Sequence, residues 1–217
     1  MSRDEGNGEE QPSGGRQLHG IGIVVLCTWA AVASLVLGTL MVGHWYALPA
    51  PANAQRPQVA AAIAALRPAN KSDQWFAVHV LFAECRCSQR IFEHLFTRQR
   101  PAQLAEHVLL VGDHEEYIGR ARKAGFGLTL VKPAALKARF HIEAAPLLLV
   151  ARPDGGLGYV GGYTARKQGL EIQDMEIIAD LQRHQAVDEL PPFGCAVSRA
   201  LQELLDPLGI KYNASEE

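Results

Sequence analysis

The sequence predicts an α/β protein: a central mixed sheet with helices on both faces, carried behind an N-terminal transmembrane helix. Three observations predict it. Short runs rich in Val, Leu and Phe alternate with segments whose apolar residues recur at helical spacing. Two late apolar runs flank a Pro153-Asp154-Gly155-Gly156 turn signal, which adds an antiparallel pair to a sheet otherwise built by helical crossovers. Finally, Ile21 to Gly43 contains no charged residue, and a bilayer core needs about 20 apolar residues as a helix.

The 217 residues allow one globular domain plus an extra segment, at about 150 residues per domain. Hydrophobic content of 48% and charged content of 20% are those of a folded chain. A net charge of −2 gives no electrostatic footprint for nucleic acid. Four cysteines are too few for a disulfide scaffold, so each needs its own explanation.

Residues 1–20, rich in Gly, Glu, Ser and Asn, read as a disordered tail. Residues 21–43 read as the transmembrane helix, followed by His44, Trp45 and Tyr46 at the interface. Ala52-Asn53-Ala54 has the form of a signal-peptide cleavage site, but the apolar run exceeds a signal core of about 7–15 residues, which favours an uncleaved anchor. Arg3 and Arg16 precede the span and Arg56 follows it, a bias that places the N-terminus in the cytoplasm and the domain in the periplasm. The expected location is therefore the inner membrane, single-pass.

Residues 44–71 read as a Pro- and Ala-rich linker with a short helix over 59–66, and the folded domain is expected over 72–185. Its elements are a strand over 75–82, a helix from Ser88 stopped by Pro101, and a strand over 107–111. A helix over 114–124, a strand over 128–131 and a helical turn over 134–140 follow. The hairpin of 147–151 and 157–161 comes next, then a helix marked by Ile172, Met175, Ile178 and Leu181. Residues 186–217 form a C-terminal extension with Cys195 and a helix over 196–205.

The chemistry concentrates at Cys85-Arg86-Cys87-Ser88. Two cysteines where a strand gives way to a helix are placed to use the helix N-terminus, whose unpaired N–H groups and dipole stabilise a thiolate. Cys85 is expected to be the more exposed, attacking thiolate with Cys87 as its resolving partner, or the two roles are reversed. Arg86 is a second candidate for lowering its pKa. There is no Cys-x-x-Cys, so the second thiol is either Cys87 or a distant cysteine. A Cys85–Cys87 bond would close a small ring, and departure from relaxed geometry makes a disulfide easier to reduce. Cys195, after Pro191-Pro192, is the other candidate. Cys27 is apolar filler within the span.

The stretch from about Trp75 to Leu181 resembles the thioredoxin-like superfamily. The likeness rests on the strand–Cys–helix start, the strand–helix–strand middle, Ala145-Pro146 before a buried strand, and the Asp154-Gly155 hairpin. The chain is also similar to bacterial membrane-anchored or exported thioredoxin-like (RedB-like) proteins. Three short motifs carry this: Cys85-Arg86-Cys87-Ser88, Gly161-Gly162-Tyr163-Thr164 and Phe193-Gly194-Cys195. Arg86 replaces a common proline. The resemblance implies a cis Pro146 facing the active cysteine. It also implies thiol–disulfide oxidoreductase activity on a protein thiol or disulfide through Cys85, Cys87, Pro146 and Cys195, without a cofactor. A looser likeness to copper-delivery proteins implies an alternative Cu(I) site of Cys85, Cys87, His141 and Cys195. A third alternative is a non-catalytic adaptor.

Other signals are weak. His79 alternates within a strand, and His94 lies two helical turns beyond Cys87, so both read as structural. No Gly-rich phosphate loop or His-Glu-x-x-His occurs, and Phe82 stands where a peroxidatic threonine would. Asn213-Ala214-Ser215 matches a glycosylation sequon by pattern alone.

Overall fold

A computed structural model describes residues 14–167, 169–207, 209, 211 and 212. Residues 1–13 of the tail expected over 1–20, with Arg3, the Asn213 sequon, and the side chains of Arg16, His44 and Trp45 lie outside the described residues, whereas residues 14–20 are helical. The chain divides into two units after Trp45.

The first unit contains α1, Gly14–Trp45. It begins ahead of the expected Ile21: no proline interrupts Gly14–Gly20, and the apolar run that follows carries the helix back through this segment despite its glycines. Its segment Gly20–Gly38 has mean hydropathy 2.3, with no part buried against protein. That length and composition suit a membrane span or a signal sequence.

The second unit is a mixed α/β domain. The strands β1 (Trp75–Phe82), β2 (Leu104–Val111) and β3 (Gly127–Val131) are parallel, joined through helices α3 (Arg86–Thr97) and α4 (Glu115–Lys123). A preceding helix, α2, spans Arg56–Ala64, and α5 (Pro133–Phe140) leads into a two-residue strand β4 (Ala144–Ala145). The hairpin of β5 (Leu147–Ala151) and β6 (Leu157–Gly161) is antiparallel, and β5 also pairs antiparallel with β1. The sheet order is β3-β2-β1-β5-β6. The chain closes with α6 (Asp174–Gln182), β7 (Cys195–Ala196) and α7 (Arg199–Leu205).

Strand residues alternate between two cores. Ala77, Leu81, Val108, Leu110, Leu148 and Val150 meet Phe92 and Leu95 of α3 and Ile178 and Leu181 of α6. Phe76, Val78, Val80, Leu109, Leu147 and Leu149 meet Leu136 and Phe140 of α5 and Val59 and Ile63 of α2. The expected linker over 44–71 is therefore corrected. Val59 and Ile63, one helical turn apart, are fully buried, because the second face of the sheet needs more cover than the short α5 provides. Leu48 is also buried, and its N–H donates to the Pro192 carbonyl at 2.8 Å.

The expected helix over 196–205 likewise starts later. Cys195 and Ala196 form β7 instead, and Ser198 caps α7, its hydroxyl accepting from the Leu201 N–H at 3.3 Å.

Candidate active site

Cys85 is the N-cap residue of α3, with extended φ −88° and ψ 117°. The strand-to-helix turn is braced on both sides. The buried Ser88 hydroxyl accepts from the Phe82 N–H at 3.0 Å, and the Gln89 amide donates to the Ala83 carbonyl at 3.0 Å. Ser88 thus serves the turn rather than the chemistry. The expected helix start at Ser88 moves forward to Arg86, so Cys85 stands at the N-cap position and Cys87 lies in the first turn.

Three thiols meet here. The Cys85 pKa is lowered to about 3, first by the Cys195 thiol donating to its sulfur and then by the Cys87 thiol; burial opposes them, and the N–H groups of Ser88 and Cys87 assist. Cys87 and Cys195 are pushed up in turn, chiefly because each holds its proton toward Cys85 and also because each is shielded from water. Protonated, Cys85 directs its S–H at the Ala145 carbonyl 3.8 Å away, a weak contact, whereas the ionised sulfur gains several donors at once. We therefore assign the thiolate to Cys85. All four cysteines are free thiols.

One expectation is reversed: Cys85 is 1% exposed, whereas Cys87 and Cys195 are half-buried. Arg86 is exposed and does not figure among the groups that shift the sulfurs. The cations that act there are Lys167 and Lys211 on Cys87, and Lys211 on Cys195. Neither lysine is adjacent to a cysteine in sequence, so no local signal announces them.

Cys195 is brought in by backbone packing. β7 pairs antiparallel with β4, Cys195 opposite Ala145, immediately before the cis Ala145–Pro146 peptide. The residues of the two glycine motifs make this possible. A Cβ on Gly194 would lie 2.0 Å from the Ala145 carbonyl oxygen and 2.5 Å from Pro146 Cδ. One on Gly162 would lie 2.3 Å from the Pro191 oxygen. The Gly162 N–H donates to the Leu190 carbonyl at 2.7 Å, and the Tyr159 hydroxyl accepts from the Leu190 N–H at 3.2 Å. The chain from Leu190 to Cys195 thus lies flat across the end of β6 and the cis-proline loop.

His141 is not brought to the sulfurs. It ends α5 in the left-handed region, φ 54°, and lines a cavity of about 220 Å³ with Lys137, Glu143 and Pro49 that no cysteine lines. Among the described residues no group of three or more His, Cys, Asp and Glu side chains is arranged to hold a metal.

His79 and His94 belong to a buried polar network on the α3 face of the sheet. His79 Nδ1 is 2.9 Å from the Tyr163 hydroxyl and its Nε2 is 3.3 Å from Glu106. Arg98 joins Glu106 to Asp174, donating to Asp174 at 2.9 Å. His94 reaches Asp174 at 2.7 Å and Arg100 reaches Glu106 at 2.7 Å. Glu106, a charged residue within an apolar strand, was the available sequence signal for this network. Burial alone would raise the Glu106 carboxyl; the hydrogen bond and charge of His79, with Arg98, hold it far below its ordinary range. Asp174 is held down the same way, by His94 and Arg98 against burial.

The fold and site together describe a mixed α/β domain with a buried cysteine at a helix N-terminus. No family model and no curated protein matches the chain. Among solved structures, an uncharacterized conserved protein from Geobacillus kaustophilus is 16% identical at TM-score 0.44, over 58% of this chain and 77% of that one. A thiol:disulfide interchange protein from a Bacteroides species is 14% identical at TM-score 0.32, over 41% and 64%. The thioredoxin domain of a thiol-disulfide oxidoreductase from Bacteroides vulgatus is 13% identical at TM-score 0.31, over 41% and 69%.

Proposed function

We propose that this protein is a thioredoxin-like thiol–disulfide oxidoreductase, held on the periplasmic side of the inner membrane by α1, with Cys85 as its nucleophile. One observation carries the reading: Cys85 is the N-cap residue of α3, its sulfur lies 3.8 Å from the Ala145 carbonyl just before cis Pro146, and the Cys195 and Cys87 thiols lower its pKa. A thiolate is the attacking form in disulfide exchange. Donors already in place keep Cys85 ionised without a general base. The partner is a protein thiol or disulfide. It reaches the sulfur past Pro146 and β7, whose pairing with β4 is two residues long. Anchoring is supported by the apolar Gly20–Gly38 segment, and its direction by Arg3 and Arg16 ahead of it.

The test is a thiol-trapping redox titration of the full chain in detergent. A reversible two-electron couple involving Cys85 is expected, and failure of any reversible disulfide to form at Cys85 or Cys87 refutes the activity. Labelling Cys87 or Cys195 in intact spheroplasts with a membrane-impermeant maleimide tests the topology. Protection until lysis overturns the periplasmic assignment.

A further inference from the structure

Cys85 has two neighbouring thiols, and the elements that carry them differ. Cys87 lies two residues away, across the first residue of α3. The Cys87 thiol already approaches the Cys85 sulfur from the first turn of α3, but a covalent bond across one intervening residue would close a small, strained ring. A Cys85–Cys87 bond would take the first turn of α3 apart and withdraw the N–H groups of Cys87 and Ser88 from the sulfur. Cys195 arrives on a separate element. β7 sets it opposite Ala145, whose carbonyl is 3.8 Å from the Cys85 sulfur. Its position is over-determined: Gly194 fits against Ala145 and Pro146 with no room for a Cβ, and Val197 N–H donates to the Glu143 carbonyl at 2.7 Å on the other side. The Ala196 N–H donates to the Tyr212 hydroxyl at 3.0 Å. β7 also fills the backbone edge of β4 beside Cys85, where an extended peptide carrying a cysteine would pair. The chain presents its own cysteine there.

We propose that Cys195 is the resolving thiol of Cys85, so that the oxidised protein carries a Cys85–Cys195 disulfide and keeps Cys87 as a thiol. This deepens the oxidoreductase reading and rests on it. The Cys85 thiolate attacks a partner disulfide R–S–S–R′, forming Cys85–S–S–R and expelling R′S⁻. The Cys195 proton passes to R′S⁻, and the Cys195 sulfur attacks Cys85, expelling RS⁻. Two electrons leave the Cys85/Cys195 pair, one disulfide is made and one is broken. A partner dithiol runs the steps in reverse and restores the thiols.

The experiment uses the reduced full-length chain in detergent with glutathione disulfide as probe, followed by acid quench, alkylation and peptide mass mapping. The wild type is expected to release two equivalents of glutathione, yield a Cys85–Cys195 linked peptide and leave Cys87 alkylated. Cys195→Ser is expected to release one equivalent and retain glutathione on Cys85. A wild-type map showing a Cys85–Cys87 bond overturns the Cys195 assignment and leaves the oxidoreductase reading standing. No disulfide or adduct at Cys85 overturns both. The wild-type map decides the matter even if Cys195→Ser does not fold.

Discussion

Gly194→Ala isolates the device that delivers the third thiol. The added Cβ would sit 2.0 Å from the Ala145 carbonyl oxygen, 2.7 Å from its carbon and 2.5 Å from Pro146 Cδ. Those are backbone and ring atoms, so no side chain can swing away; β7 itself must move off β4 by more than an ångström. Overpacking of this kind costs about 1–3 kcal/mol, and backbone contacts place it toward the upper end. For a domain of this size about 2–3 kcal/mol lowers the thermal midpoint by roughly 5–10 °C. Cys195 retreats with β7, so Cys85 loses the largest contribution to its ionisation. Calorimetry and the pH profile of Cys85 alkylation by iodoacetamide read the two effects. The wild-type thiolate alkylates at a rate nearly independent of pH between 5 and 7, with a pKa lowered to about 3; in the variant the rate climbs with pH. Gly119→Ala is the control: it lies within α4 with nothing near its Cβ. It is expected to stabilise by about 0.5–1 kcal/mol through helix propensity. A Gly194→Ala protein with the wild-type midpoint and alkylation profile would refute the argument.

Arg98→Leu leaves Glu106 and Asp174 buried without the cation that joins them, a loss of about 3–5 kcal/mol, read as a lower urea midpoint; an unchanged midpoint contradicts the network. The same two carboxyls contribute to the acid response, alongside the Cys85 thiolate. Their folded pKa values lie below the unfolded ones, so the stability they add is complete above the ordinary carboxylate range and drains away as pH falls below about 4.5. Urea midpoints that stay level from pH 6 to pH 3 would count against this. Ile63→Ala removes a fully buried side chain from the α5 face and is expected to cost about 2–5 kcal/mol; a true linker residue would cost nothing measurable.

The alternation of apolar runs was legible because strand and helix periods are local. The strand predicted over 75–82 is observed with those bounds, and the hairpin forms around Pro153-Asp154-Gly155-Gly156 as its turn chemistry dictates. The α2 segment was misread for a physical reason. Two apolar residues one turn apart, Val59 and Ile63, look the same in a spacer as in a core until a sheet face is found beneath them. Glu106 was passed over because the strand, observed over Leu104–Val111, was expected to begin only at His107, and because its partners Arg98, Arg100 and His79 come from outside that strand.

Cys85-Arg86-Cys87-Ser88 after a buried strand already specified where a reactive sulfur would sit, since strand end, helix start and dipole are neighbours in sequence. Which sulfur is ionised, which is most buried and what stands beside it depend on contacts across more than a hundred residues of chain. Cys195 reaches Cys85 because Gly162 and Gly194 let two backbones touch and because β7 pairs with β4. Lys167 and Lys211 reach the thiols from loops with no recognisable pattern. Local periodicity and capping chemistry are written residue by residue, but the protonation of a buried sulfur is set by whichever donors the folded chain places around it.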